Sequence, residues 1–231
     1  MRHEIKNGPD FASLHVTFEA AGEALLTESG AMVARDVGVA MTTSLQGGFG
    51  AALKRKFLGG ESLFQNTFRA SVIGERLLVA PAVEGSIGIR TLAPGEEMFL
   101  QSGAYLASTP ELTLDTKWQG VRGFFAAGLF LLRCVGPGTV WYATYGALHE
   151  VELEGGSYVV DNTHLVGFDG GLSYGVEKVG GLKSLFFSGE GLVCRMQGRG
   201  TVFIQSRNPA NLAWFLHPFR PVKARVELSD D

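Results

Sequence analysis

Residues 54–64 read KRKFLGGESLF, and residues 183–193 read KSLFFSGEGLV. One chain writes nearly the same phrase twice, which points to internal repetition before any single element is assigned. Working outward, three further stretches align on a leading glycine: GEALLTESGAMVA from Gly22, GEEMFLQSGAYLAS from Gly95 and GGSYVVDNTHLVGF from Gly155. In each, a glycine turn leads into a short apolar segment. Glu28, Gln101 and Asp161 follow at the same offset, then Ser29, Ser102 and Asn162. GPGTVWY from Gly136 and GRGTVFI from Gly198 share one more phrase. The pattern predicts an all-β fold of three tandem related units, roughly 11–85, 86–150 and 151–221, with 222–231 as a tail. Units that cannot each bury a face alone are expected to pack pseudo-threefold around a shared core.

Local patterns agree with strands. In SLHVTFE, Leu14, Val16 and Phe18 alternate with His15, Thr17 and Glu19. HEVELE sets Glu150, Glu152 and Glu154 outward and Val151 and Leu153 inward. One short C-terminal helix is expected in NPANLAWFLHP: Asn208 can cap it, Pro209 suits its first position, Pro218 stops it, and Leu212, Phe215 and Leu216 share a face.

The 231 residues carry 45% hydrophobic and 19% charged side chains, enough to build a core and unlike a disordered composition. Glycine, at 32 residues, is roughly twice the usual ~7% and punctuates short apolar runs. A net charge of −3 disfavours a general nucleic-acid binder. Cys134 and Cys194 are too few for a disulfide scaffold and fit buried free thiols. The N-terminus has no apolar signal region, and the uncharged core of GFFAAGLFLLRCV (123–135) is too short for a membrane helix.

The quoted repeats resemble the mitochondrial-biogenesis family named for altered inheritance of mitochondria, with GGESLF and SGEGL the most specific parts. The resemblance covers about Ile5 to Pro221. It implies β units similar to the tryptophan RNA-binding attenuation protein, a short relative of the double-stranded β-helix. Eukaryotic relatives are tied to mitochondrial inner-membrane organisation. Bacterial members have no established activity, and the resemblance supplies no catalytic residues and no cofactor. With no transit peptide, this chain is expected to be a cytoplasmic, prokaryotic member, peripheral to a membrane where it meets one.

Chemistry is sparse. His3, His15, His149, His164 and His217 show no metal-ligand spacing, so no metal site is expected. His149 is expected to be half-buried. His164 stands where Ala31 and Ala104 stand in the other units. No nucleophile elbow or phosphate loop occurs. Ser29 and Ser102 are expected to cap their repeated turns with the hydroxyl, and Glu61 and Glu190 to accept turn amides, with a similar role for Asn66. Lys54, Arg55 and Lys56 form the densest basic cluster and are the candidate contact for an anion or membrane. WYATY (141–145) is read as packing, with base stacking as the alternative. The expectation is a non-enzymatic scaffold or binding protein. It forms a homo-oligomer, a trimer or dimer of trimers, and has an unknown protein or membrane partner. A small-molecule binder or enzyme with a pocket between units, and an RNA-binding ring, are the alternatives.

Overall fold

The computed structural model describes residues 1–45, 64–115, 131–178 and 192–220. The described residues are predominantly β, in three sheets, with one short α-helix near the C-terminal end. The first sheet has the order β1 (Arg2–Lys6), β2 (Ser13–Thr17), β7 (Arg76–Val79), β4 (Met32–Arg35). The second runs β5 (Ala40–Leu45), β6 (Phe64–Arg69), β3 (Ala24–Glu28), β10 (Tyr105–Ser108), β13 (Gly138–Ala143), β8 (Ile87–Leu92). The third runs β11 (Thr113–Asp115), β12 (Leu131–Val135), β9 (Glu97–Gln101), β15 (Leu165–Asp169), β17 (Leu192–Gln205), β14 (Leu148–Asp161), with β16 (Leu172–Lys178) also on β17.

Alternation sets these faces as the sequence suggests. Leu14 and Val16 of β2 are buried while Ser13, His15 and Thr17 lie between them on the other face. Glu150, Glu152 and Glu154 of β14 are exposed, and Val151 and Leu153 half-buried.

The pairings recur along the chain. β3 pairs with β6 and β6 with β5. β9 pairs with β12 and β12 with β11. The second half of β14 pairs with the first half of β17, which also takes β16. The second group is β2–β7–β4, β8–β13–β10, and the first half of β14 with the second half of β17 and β15. Two seams join these groups: β3 with β10, and β9 with β15.

The described core is three apolar clusters rather than one shared interior. The first gathers Leu14, Val16, Phe18, Leu25, Phe68 and Leu77 with Leu106, Ala107 and Trp141 from across the first seam. The second centres on Met98, Leu100, Tyr105, Cys134 and Tyr142, with Val166 and Phe203 from across the second. The third holds Val160, Leu165, Phe168, Leu172, Cys194 and Met196. The physical reason is sheet sharing: each seam lends side chains to a sandwich on either side, so no common centre is needed. The boundary expected at residue 150 falls inside β14, which runs on through a bulge between Glu154 and Gly156. There Gly155 has φ +108°, a conformation costly for any residue with a Cβ.

The seams also carry polar ties. At the first, Gln65 Nε2 donates to Tyr105 Oη at 3.0 Å, and Tyr105 Oη shares a hydrogen with Ser108 Oγ at 2.9 Å, all buried. Burial pushes the Tyr105 hydroxyl pKa up, so it remains a neutral donor. Across the second, Arg90 of β8 donates to Asp169 of β15 at 2.7 Å and lies over the Phe203 ring.

Candidate functional site

The outer face of the first sheet forms an open groove of about 740 Å³. Strand alternation aims the polar residues into it. Arg2 stands opposite Thr17, Glu4 opposite His15 and Lys6 opposite Ser13. Arg76 and Leu78 extend the same face from β7. Its charged members are Arg2, Lys6, Arg35 and Arg76 against Glu4 and Asp36. Most are already engaged. Arg76 donates to Asp36 through Nε at 3.1 Å and Nη2 at 3.0 Å, and its backbone N–H adds a third bond at 2.8 Å. These bonds hold the Asp36 carboxyl below the usual carboxylate range. Lys6 sits 3.2 Å from Glu4. Arg35 donates to the carbonyls of Asp36, Val37 and Val39, clamping its own turn.

Beside this groove Ser13 Oγ lies 3.2 Å from His15 Nε2 of its lining. A nucleophile and base at this distance invite comparison with hydrolytic sites. The imidazole there needs a third group to orient it. Among the described residues no hydrogen bond reaches His15 Nδ1. Among the described residues the groove therefore lacks the assembled parts of a hydrolase. Among the described residues, no three His, Cys, Asp or Glu side chains converge as a metal site would require.

The other candidate is helix α1 (Pro209–Leu216) with the 3₁₀ turn His217–Phe219. Asn208 caps it, its side chain accepting from the Ala210 N–H at 2.8 Å, and Pro209 opens it, as the sequence suggests. None of its residues is buried. Trp214 is 77% exposed, Phe215 68% and Phe219 74%, with Leu212 and Leu216 beside them. The face shared by Leu212, Phe215 and Leu216 is turned outward. From Arg207 to Val226 the sequence contains no acidic residue, while Arg207, Arg220, Lys223 and Arg225 are basic. Among the described residues no helix is long and apolar enough to cross a membrane.

The remaining sequence candidates are spread over the fold. Lys54, Arg55, Lys56, Glu61 and Glu190 lie outside the described residues, as does most of both copies of the phrase at 54–64 and 183–193. Ser29 is exposed in a turn closed by the main chain, Ala31 N–H to Glu28 C=O at 3.4 Å, and among the described residues no hydrogen bond reaches its hydroxyl. Ser102 opens a 3₁₀ turn, Ser102–Ala104. Asn66 belongs to a strand, not a turn, and accepts from Thr43 Oγ1 at 2.8 Å. His149 is exposed rather than half-buried, because the first residues of β14 lie on an open sheet edge. His164 Nδ1 lies 2.8 Å from the Gln205 carbonyl, which gives it a structural bond. Trp141 and Tyr142 are core residues, so WYATY presents no stacking surface. The groove escaped sequence reasoning because its residues come from four separate strands. The exposed aromatics of α1 were legible as a group, but not their exposure.

Cys134 and Cys194 are free and buried, and burial pushes each thiol pKa up to about 12. Neither should react with a thiol reagent in the native protein, and both should titrate after denaturation. Rapid labelling of the folded protein would contradict this burial.

Residues 3–207 match the family described as Mitochondrial biogenesis AIM24. The chain belongs to that family. The chain is also similar to an uncharacterized protein of Streptococcus pyogenes serotype M6, 29% identical over 234 residues, covering 97% of this chain and 93% of that one. A crystal structure of a Streptococcus pyogenes protein superposes with a TM-score of 0.79 at 27% identity, covering 95% of this chain and 99% of that chain. The AIM24 membership thus comes with two relatives of no stated activity.

Proposed function

We propose that this AIM24-family protein is a non-enzymatic scaffold. It is built as a row of three like β units and docks on an anionic membrane surface through its C-terminal helix. The observation that carries the docking is the outward cluster of Trp214, Phe215 and Phe219, set in a segment without acidic residues. Aromatic side chains partition into the headgroup boundary, and flanking cations are drawn to anionic lipid. Lys54, Arg55 and Lys56 are a second proposed contact with the same surface. The recurrent strand pairing supports the row of units, and the two seams give it continuity.

Co-sedimentation with vesicles tests the docking. The protein should pellet with phosphatidylglycerol-containing vesicles at low salt and remain in solution with pure phosphatidylcholine. Trp214→Ala combined with Phe215→Ala and Phe219→Ala should abolish pelleting without shifting the thermal transition, since all three side chains are exposed. A wild type that ignores anionic vesicles at low salt removes the membrane reading.

A further inference from the structure

Strands β4, β10 and β15 share a local irregularity. The register of β4 on β7 shifts between Met32 and Ala34. That of β10 on β13 shifts between Tyr105 and Ala107, and that of β15 on β17 between Leu165 and Gly167. The residues passed over are Val33, Leu106 and Val166. Two of these have the same fate. Leu106 is fully buried in the first core cluster, on the far side of the β3–β10 seam. Val166 is fully buried in the second, across the β9–β15 seam. Val33 belongs to no cluster and is 57% exposed.

The opposite side of each seam shows a matching gap. Leu25 of β3 and Met98 of β9 are fully buried. Counting from the leading glycines Gly22, Gly95 and Gly155, the third residue of this set is Tyr158, and it is 40% exposed. Val159 beside it is exposed as well. Among the described residues Tyr158, Val159 and Val160 of β14 pair only with β17, and β4 pairs only with β7. The chain therefore carries two seams and two unmatched halves of a third, one at each end of the row. Each open half displays unpaired backbone groups and large apolar side chains.

We propose that a second copy of this chain completes the third seam, its Tyr158–Val160 stretch pairing antiparallel with β4 so that Val33 enters that copy's third core cluster. The register follows from the two seams observed. Thr27 faces Ala107 in the first, and Leu100 faces Gly167 in the second. The corresponding pair is Val160 with Ala34, and the next is Val159 with Arg35. The partner is a copy rather than another protein because the surface it must offer is the one this chain already presents at its other end. Such a contact is heterologous, head to tail, and builds a closed ring or an open filament. The inference rests on the proposed row of three like units. It does not depend on membrane docking.

The test uses the full chain without lipid. Sedimentation velocity at micromolar concentration should show assemblies larger than a monomer. Val33→Glu should weaken self-association on the order of tenfold or more with an unchanged thermal transition, because burying an unpaired carboxylate in the neighbour's apolar cluster is costly. A monomeric wild type, or Val33→Glu assembling as wild type does, overturns the proposal. Cysteine cross-linking tests the register. Ala34→Cys and Val160→Cys, prepared separately and mixed under mild oxidation, should form a disulfide-linked dimer that neither variant forms alone. A mixture that stays uncross-linked overturns the register, and cross-linking of a single variant by itself overturns the head-to-tail arrangement. The native thiols contribute little background, since both are buried. If Val33→Glu is monomeric yet still pellets with anionic vesicles, docking and assembly are separate properties. If wild-type assembly persists while vesicle binding fails, only the membrane reading falls.

Discussion

Replacing Trp141 with alanine is expected to destabilise the protein by about 3–5 kcal/mol, a large part of the ~5–15 kcal/mol that holds a typical domain folded. Trp141 is buried on β13, where it faces Ala107 on one side and Ile89 on the other. Its ring receives the edge of His3, with centroids 5.1 Å apart. It also helps to fill the first core cluster from across a seam, so its loss opens a cavity at the junction of two sandwiches. The Trp141 indole N–H is buried with no hydrogen-bond partner. Trp141→Phe removes that orphan donor together with part of the volume, and should cost clearly less than the alanine change. Urea denaturation of the two variants beside wild type reads both effects. A Trp141→Ala protein as stable as wild type would contradict the packing of this seam.

The second large effect is expected at Gly85, for a steric reason. Phe11, Gly85 and Gly146 are joined by parallel bridges, which bring together the chain segments that lead into β2, β8 and β14. The Ala12 N–H donates to the Gly85 carbonyl at 3.0 Å. A Cβ on Gly85 would fall 2.1 Å from the Thr144 carbonyl oxygen and 2.7 Å from the backbone nitrogen of Gly146. Those atoms belong to the main chain and cannot swing away as a side chain would. Gly85→Ala should therefore cost about 3 kcal/mol or more. Gly175→Ala is the control, because a Cβ there meets nothing within 4 Å. Thermal melts of both variants decide the matter, and equal transitions would show that the bridge region yields easily.

Local rules made much of this fold legible. The alternation in SLHVT marked β2 and its buried face, and Asn208 with Pro209 marked the start of α1. The acidic alternation of HEVELE was borne out in β14. What escaped was long-range. Nothing near Leu26 or Thr27 announces that β3 will join β10, because strand partners some 80 residues apart leave no mark in a local pattern. Gly155 reads as a turn glycine, yet it lies within a strand at a bulge, since positive φ serves both purposes. His149 was placed inside by its parity with Val151 and Leu153, but parity names a face and not its depth. At the candidate sites, residue types were visible and burial was not. Trp141 and Trp214 look alike in sequence, and one is core while the other stands in solvent.

The sharing of sheets across the two seams has a consequence for how the molecule comes apart. A piece ending near residue 85 would lose Leu106, Ala107 and Trp141 from its interior, so it would carry an incomplete core. The middle of the chain contributes to both seams, whereas each end contributes to one. Stability should accordingly pass between neighbours as in a one-dimensional array. Opening can begin at either terminus and halt at the first seam, but a lesion in the middle strands β9 and β10, which carry one side of each seam, loosens both.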